Sequence, residues 1–439
     1  MKTPNLDALA ARGTVFTNAH CQAPFCNPSR TSFLLSRRPT STGVYALNPS
    51  FREVEGLKNS RTVLQHFRDH GYETYCVGKI FHNAWKLGKL GRKKLEADHF
   101  GDGQSPSPMP PMKISGTHPI EGKIVDWGAF AHDMRECCDF KTAQWTIQHL
   151  QNREQNRPFF MACGFYLPHV PIYTTQKWHN LYPLDSLRLP DIRDDDRDDC
   201  SPFARYFTWR DPYPKTEWLR ANDQLKPLVQ SYLAAISYVD HQIGRVIQTL
   251  EESDQADNTV VVGFSDHGFH CGEKGLSGKH TLWSESTLVP LVFAGPRVGV
   301  GQRCHEAVEL LDLYPTLSEL CDLGFPVDLE GLSIVPQLKD ATAVRLRPAI
   351  CNSSPGSHCV VDEHWRLIRY ADGSQELYDR SVDPGEHRNL IGTDDYSEVI
   401  ASLAKWIPRN EAAPVPGSLK KMVRRREGRW FYENTLIEN

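Results

Sequence analysis

The sequence predicts an α/β fold in which helices flank a central mixed sheet, with a smaller α+β section at the C-terminus. Three observations carry this. The amphipathic stretch Thr62–Phe67 is stopped by Gly71 and runs into the strand-like Tyr72–Val77, which delivers Gly78-Lys79-Ile80-Phe81-His82 at its end. The run Pro158–Phe165 is continuously apolar, as in strands buried on both faces. Leu228, Tyr232, Ile236, Val239, Ile243, Val246 and Leu250 recur at steps of three and four, the stripe of a long helix facing a core.

The other elements follow in order. Asn5–Gly13 reads as a short helix capped by Asn5 and ended by a left-handed Gly13. Thr14–Ala19 is a strand leading to a loop around Cys26, and Thr31–Leu35 reads as the first turns of a helix leaving that loop. Asn83–Asp126, with its Gly and Pro clusters, reads as a long irregular loop at a substrate mouth. Phe140–Leu150 is a helix, and Tyr173–Pro214 a polar excursion. Thr259–Phe264 reads as a central strand delivering Ser265-Asp266-His267-Gly268, and Leu288–Ala294 as another strand. Val308–Leu323 is a helix that Pro315 kinks or restarts.

Beyond about Val344 the character changes. Residues 364–370 and 375–379 flank a Gly-containing turn and read as a β-hairpin; Ser397–Trp406 closes as a helix, and Lys420–Arg429 is a basic tail. The expected division is residues 1–344 and a C-terminal subdomain, 345–439.

Composition narrows the function. The 439 residues carry 40% hydrophobic and 24% charged side chains and a net charge of −4, so nothing points to nucleic-acid binding. An anionic ligand would need local Lys, Arg and His. No stretch approaches the roughly 18 apolar residues of a membrane span. Met1-Lys2-Thr3-Pro4-Asn5 has no apolar core behind it, so no secretory signal is present as written and the chain reads as cytoplasmic. A start further upstream would make it periplasmic, secreted or lysosomal. The twelve Cys show no paired spacing and are expected to be mostly free, buried thiols.

The chemistry gathers at turns and strand ends. Cys26-Asn27-Pro28-Ser29-Arg30 sets a thiol beside a turn-forming pair, a hydroxyl and a fixed cation. A C-x-P-S-R pattern arises by chance on the order of once in a thousand chains of this length. Lys79 with His82, His169 between two prolines, and Asp266-His267 with Lys279 stand at other loop starts. Singly, Lys79 could be a surface lysine, His169 a loop histidine and Asp266 a helix cap. Jointly, each at a strand end, they converge on one sheet edge.

The C-x-P-S-R pattern resembles the nucleophile motif of the type I (formylglycine) sulfatases. Gly78-Lys79-Ile80-Phe81-His82, Leu167-Pro168-His169-Val170-Pro171, and Ser265-Asp266-His267-Gly268 followed by Gly272-Glu273-Lys274-Gly275 and Lys279 match sulfatase blocks in order. The Gly-Lys-Ile-Phe-His form, His after Asp266, and Glu376-Leu377-Tyr378-Asp379 with Asp383-Pro384 and Asn389-Leu390 look like the iduronate-2-sulfatase branch.

The resemblance implies an alkaline-phosphatase-like sandwich that hydrolyses sulfate esters of a sulfated carbohydrate. A formylglycine-generating enzyme would oxidise Cys26 to an aldehyde. Its hydrate, deprotonated on a divalent metal, attacks sulfur, and its second hydroxyl then expels sulfate. Arg30 would hold diol and sulfate oxygens, Lys79 and Lys279 would neutralise the sulfuryl oxygens and bind substrate with His169, and His82 and His169 would move protons. Asp266, His267 and the Cys26-derived oxygens would ligate the metal, which the resemblance makes Ca2+.

The family opens with a buried strand ending in two Asp metal ligands, and Met1–Asp7 matches the segment that follows it. The expectation is an N-terminally incomplete catalytic domain, with exposed apolar strand edge and too few anionic ligands for tight calcium binding. An upstream start, a real truncation and a glycan-binding relative without turnover stay open, as does a phosphonate monoester or phosphodiester hydrolase.

Overall fold

A computed structural model describes residues 1–82, 87, 89, 91–102, 106, 108–116, 125–153, 157–209, 213–324, 326, 328–393, 395–418, 423–432 and 434–437, with only the backbone at 206–209. Its main elements in chain order are α1 (Pro4–Ala11), β1 (Gly13–His20), α2 (Cys26–Leu35), α3 (Val63–Asp69), β2 (Glu73–Gly78), β3 (His99–Phe100), α4 (Cys138–Asn152), β4 (Phe159–Gly164), α5 (Leu225–Glu251), β5 (Val261–Phe264), β6 (Leu288–Ala294), β7 (Gln302–Cys304), β8 (Val308–Glu309) and α6 (Leu313–Leu320). The C-terminal part adds β9 (Ala349–Ser354), β10 (Ser357–Val361), β11 (Trp365–Arg369), β12 (Gln375–Asp379), α7 (Ser397–Ala404), β13 (Val423–Arg426), β14 (Arg429–Tyr432) and β15 (Thr435–Leu436).

The fold is α/β, a mixed sheet flanked by helices, and hydrogen bonding divides its strands into two ladders. One runs β7-β1-β6-β5, with β8 also on β1; the other runs β3-β2-β4 and is parallel throughout. β1 pairs antiparallel with β6, from Gly13 opposite Ala294, and parallel with β7. Phe16, Leu291, Phe293, Trp283, Tyr314 and Phe67 lie in the core between this sheet and its helices. Thr62 caps α3 in a capping box with Gln65, fixing where β2 starts after the Gly71 turn.

Several expectations change. Asn5 does not cap α1; the helix starts at Pro4, and Asp240 of α5 accepts from the Asn5 and Leu6 amides at 3.2 and 2.8 Å. Gly13 does not end that helix in a left-handed turn but opens β1, where a Cβ would meet the Phe293 carbonyl oxygen at 2.0 Å. The Cys26 segment is no loop: the helix begins at Cys26 itself, five residues before the expected start. Val308–Leu323 is not one helix but β8, a 3-10 turn (Leu310–Asp312) and α6, with Pro315 in the first turn of α6, where its missing N–H costs no bond.

The strand expected to be buried on both faces, β4, and the one expected to be central, β5, both end their ladders. Among the described residues β4 pairs only with β2, and β5 only with β6. β4 is accordingly half-buried along most of its length rather than buried on both faces, and Phe264 of β5 is 38% exposed. Asn83 lies outside the described residues, as do parts of the Asn83–Asp126 stretch and residues 419–422 of the basic tail; Trp127–Ala129 beyond that stretch pairs with Ile172–Thr174 as a short parallel ribbon.

Residues 364–379 form the expected hairpin within a four-stranded antiparallel sheet, β9-β10-β11-β12. A buried charge cluster bolts it to the rest. Arg366, fully buried, donates to Glu386 Oε1 at 2.6 Å, to the Leu282 carbonyl at 2.7 Å and to the Thr287 and Ser284 hydroxyls at 3.0 Å. All twelve cysteines are free, ten of them buried. No helix is long and apolar enough to cross a membrane.

Candidate active site

The C-terminal ends of β1, β2, β4 and β5 each lead into a residue of one cluster, because the sheet brings these ends to a common edge. Cys26 occupies the first position of α2, whose ten residues are all buried. The free amides at that helix end favour negative charge beside the sulfur.

A histidine and a lysine close directly on the sulfur. His267 Nε2 lies 3.1 Å from Cys26 Sγ, and Lys279 Nζ donates to the same sulfur at 3.1 Å and to His267 Nε2 at 3.0 Å. His267 Nδ1 lies 2.8 Å from the Gly268 carbonyl, so Nδ1 carries the proton and Nε2 presents its lone pair to the centre. Burial opposes ionisation of the Cys26 thiol, but the ammoniums of Lys279 and Lys79, then His267 and the hydrogen bond with His169, hold its pKa well below the ordinary value.

Arg30, one turn into α2, ties strand ends together. Its Nε donates to Asp266 Oδ2 at 2.9 Å, and its Nη1 donates to the carbonyls of Lys79 and Ile80, the latter at 3.0 Å. Ser29 Oγ donates to the Asp266 carbonyl at 2.5 Å. Burial pushes the Asp266 carboxyl up, but Arg30 and then His267 hold it below its usual range.

Lys79 follows Gly78, which has a left-handed φ of 72° and no room for a Cβ, the Gly164 carbonyl oxygen being 2.0 Å away. The Lys79 ammonium lies 4.7 Å from the centroid of the Tyr166 ring, and burial, with Arg30 and Lys279 adding to it against Cys26, brings its pKa down to about 8. His82 and His169 both hydrogen-bond toward Cys26. Burial lowers the pKa of each, that of His169 to about 3 with help from Lys79 and Lys279, so both rings are neutral near pH 7. His169 Nδ1 donates to the Val170 carbonyl at 2.6 Å. His82 Nδ1 is buried with no hydrogen-bond partner among the described residues.

All eight residues expected from the sequence therefore meet at one place. Three more support them and carried no sequence signal. Asp139, near the start of α4, accepts from the Tyr166 and Leu167 amides at 2.5 and 3.0 Å and so fixes the loop that presents His169. Tyr166 lies beneath Lys79. His280, at a left-handed φ of 81°, stacks on Phe25 with centroids 4.9 Å apart and turns the chain directly after Lys279.

Metal donors are incomplete. One ligand atom each from Cys26, Asp266 and His267 lies within 4.8 Å of the others. Calcium takes six to eight oxygens, whereas this set holds one carboxylate, engaged by Arg30, and the Lys279 ammonium contacts both other donors. The described residues alone do not make a calcium site.

Comparison with known proteins agrees with this geometry. The sulfatase family model matches residues 1–323. The chain belongs to the sulfatase family, whose members are sulfuric ester hydrolases and generally use formylglycine and a divalent metal. A second model, the C-terminal region of N-sulphoglucosamine sulphohydrolase, matches residues 272–412. Among curated sulfatases, one from Formosa agariphila is 35% identical over 425 residues, 94% of this chain and 82% of its own length. Human iduronate 2-sulfatase is 29% identical over 92% of this chain and 76% of its own, placing the sequence in the iduronate-2-sulfatase-like branch. Solved structures share the fold: BT4656 bound to its substrate D-glucosamine-2-N,6-O-disulfate has a TM-score of 0.70 at 20% identity, covering 92% of this chain and 91% of that one. The phosphonate monoester hydrolase of Agrobacterium radiobacter has 0.69 at 21%, covering 92% and 89%.

Proposed function

We propose that this sulfatase hydrolyses a sulfate ester on a sulfated sugar, in the manner of its iduronate-2-sulfatase-like relatives, with Cys26 as precursor of the nucleophile. The convergence of Lys279, His267, Lys79, His82 and His169 on the Cys26 sulfur supports this most directly. An oxygen nucleophile at the Cys26 Cβ fits the surroundings, which offer an ammonium, neutral imidazole lone pairs and the unpartnered His82 Nδ1. A formylglycine there, hydrated by one water, would supply two hydroxyls on one carbon, one to accept the sulfuryl group and one to expel it.

The chain's own residues then divide the work. Lys79 and Lys279 face the sulfuryl oxygens and offset the charge that grows on them, which a buried site makes effective. Arg30 fixes Asp266 against the ends of β2 and α2. Neutral His169 accepts a proton from a hydroxyl at Cys26 through Nε2, and His267 turns its own Nε2 toward the same position. Lys79, protonated at pH 7 with a pKa of about 8, is a proton source for a departing alkoxide.

The test is release of sulfate against phosphate from matched aryl monoesters and phosphonate monoesters. Sulfate release that disappears in Cys26→Ala supports the reading. Preferential phosphonate turnover would replace it with the hydrolase of the same superfamily, and glycan binding with no turnover of any ester by a chain whose Cys26 is shown to be oxidised would make it a binding protein.

A further inference from the structure

A second cleft, of about 760 Å3, opens between residues 411–418 and the β13–β14 hairpin. Its charge is one-sided. Arg424, Arg425 and Arg426 line it and are exposed, and no carboxylate among the described residues forms an ion pair with any of them. This stands out in a chain with 54 acidic and 50 basic residues. The one acid among the described lining residues, Glu411, is engaged elsewhere: Oε1 lies 2.8 Å from His358 Nε2, and both its oxygens accept from the Gly356 amide.

The cleft has apolar walls as well. Pro355, Pro414, Pro416 and Trp430 contribute, and Arg425 lies over Trp430, 5.7 Å from the ring centroid. Flat apolar faces beside guanidinium groups suit the alternating CH faces and anionic substituents of a charged sugar chain.

Position connects the cleft to the site. The Ala412 amide donates to the Thr40 carbonyl at 2.6 Å and Val415 to Gly43 at 3.0 Å, so the cleft floor is fixed to the turn that follows α2. On the other side, His280, the neighbour of Lys279, approaches the Ser353 carbonyl at 3.3 Å, two residues before Pro355 on the rim.

We propose that this cleft is a remote subsite for the sulfate and carboxylate groups of an extended sulfated oligosaccharide whose scissile ester lies at Cys26. The proposal rests on the sulfated-sugar reading above. The discriminating experiment compares the full chain with the R424Q/R425Q/R426Q variant and with Trp430→Ala. Heparin hexasaccharide binding is measured by calorimetry at several salt concentrations, and p-nitrophenyl sulfate turnover is measured in parallel. The triple variant should bind the hexasaccharide about tenfold more weakly, with a flatter salt dependence. It should turn over p-nitrophenyl sulfate as the parent does, and Trp430→Ala should weaken hexasaccharide binding without changing the salt dependence. Unchanged hexasaccharide affinity in the triple variant would overturn the proposal, as would polyglutamate binding as tightly as the hexasaccharide and being lost with it. If the parent hydrolyses no sulfate ester, the activity reading fails while the binding comparison still decides the cleft.

Discussion

The ammonium of Lys279 lies 3.1 Å from the Cys26 sulfur, inside a site where both groups are buried. The unmodified thiol should therefore titrate well below the ordinary value. Ultraviolet thiolate absorbance, taken as the difference from Cys26→Ala, should show Cys26 ionising at lower pH than an ordinary thiol. Lys279→Met should move that transition upward. An ordinary thiol titration in the parent would refute the pairing.

Lys79 sets activity against stability. Its folded pKa, about 8, lies below the ordinary 10.5, so between these values the unfolded chain binds more protons and stability rises with pH. Below that window the buried charge is held at a cost. Lys79→Met should stabilise the fold at pH 7 by up to about 3 kcal/mol, a gain that vanishes at high pH, while sulfate-ester turnover falls about a hundredfold or more. Chemical denaturation at two pH values, with an assay alongside, checks both halves.

The Arg30–Asp266 pair carries strand position as well as charge. Asp266→Ala leaves the guanidinium with carbonyl partners only and should cost about 3 kcal/mol in urea unfolding. Arg30→Ala combined with Asp266→Ala should cost clearly less than the two single losses added together. Simple additivity would show that the contact contributes nothing.

His169 should stay neutral over about pH 5 to 8, the range in which an ordinary histidine titrates, because burial and the neighbouring lysines bring it to about 3. Nitrogen chemical shifts should report one tautomer, protonated at Nδ1, across that range. The pH profile of kcat/KM should carry no inflection that His169→Gln removes, whereas Lys79 should contribute a fall as pH rises through about 8.

Much of this site was legible in the sequence because its parts sit at strand ends, where Gly, Pro and polar residues interrupt apolar runs. Gly78 before Lys79 and the prolines around His169 are such marks. Asp139 left none: it meets the 166–167 amides only through tertiary folding, beside an unremarkable pair of cysteines. The start of α2 was misplaced because Pro28 looks like a loop residue, although in a helix's first turn proline loses no hydrogen bond. Apolar composition made β4 read as buried on both faces and β5 as central, but burial depends on what packs beside a strand, and each ends its ladder here.

Arg366 has a consequence for how this protein can change over generations. Its guanidinium grips Leu282 and Ser284, three and five residues past Lys279, from a strand nearly ninety positions later in the chain. The C-terminal sheet is thus part of the mount that holds Lys279. It cannot be exchanged for a foreign module, as detachable binding domains are, without disturbing the setting of Cys26. Recombination that swaps this region is survivable only where the incoming segment brings the same arginine and its glutamate with it.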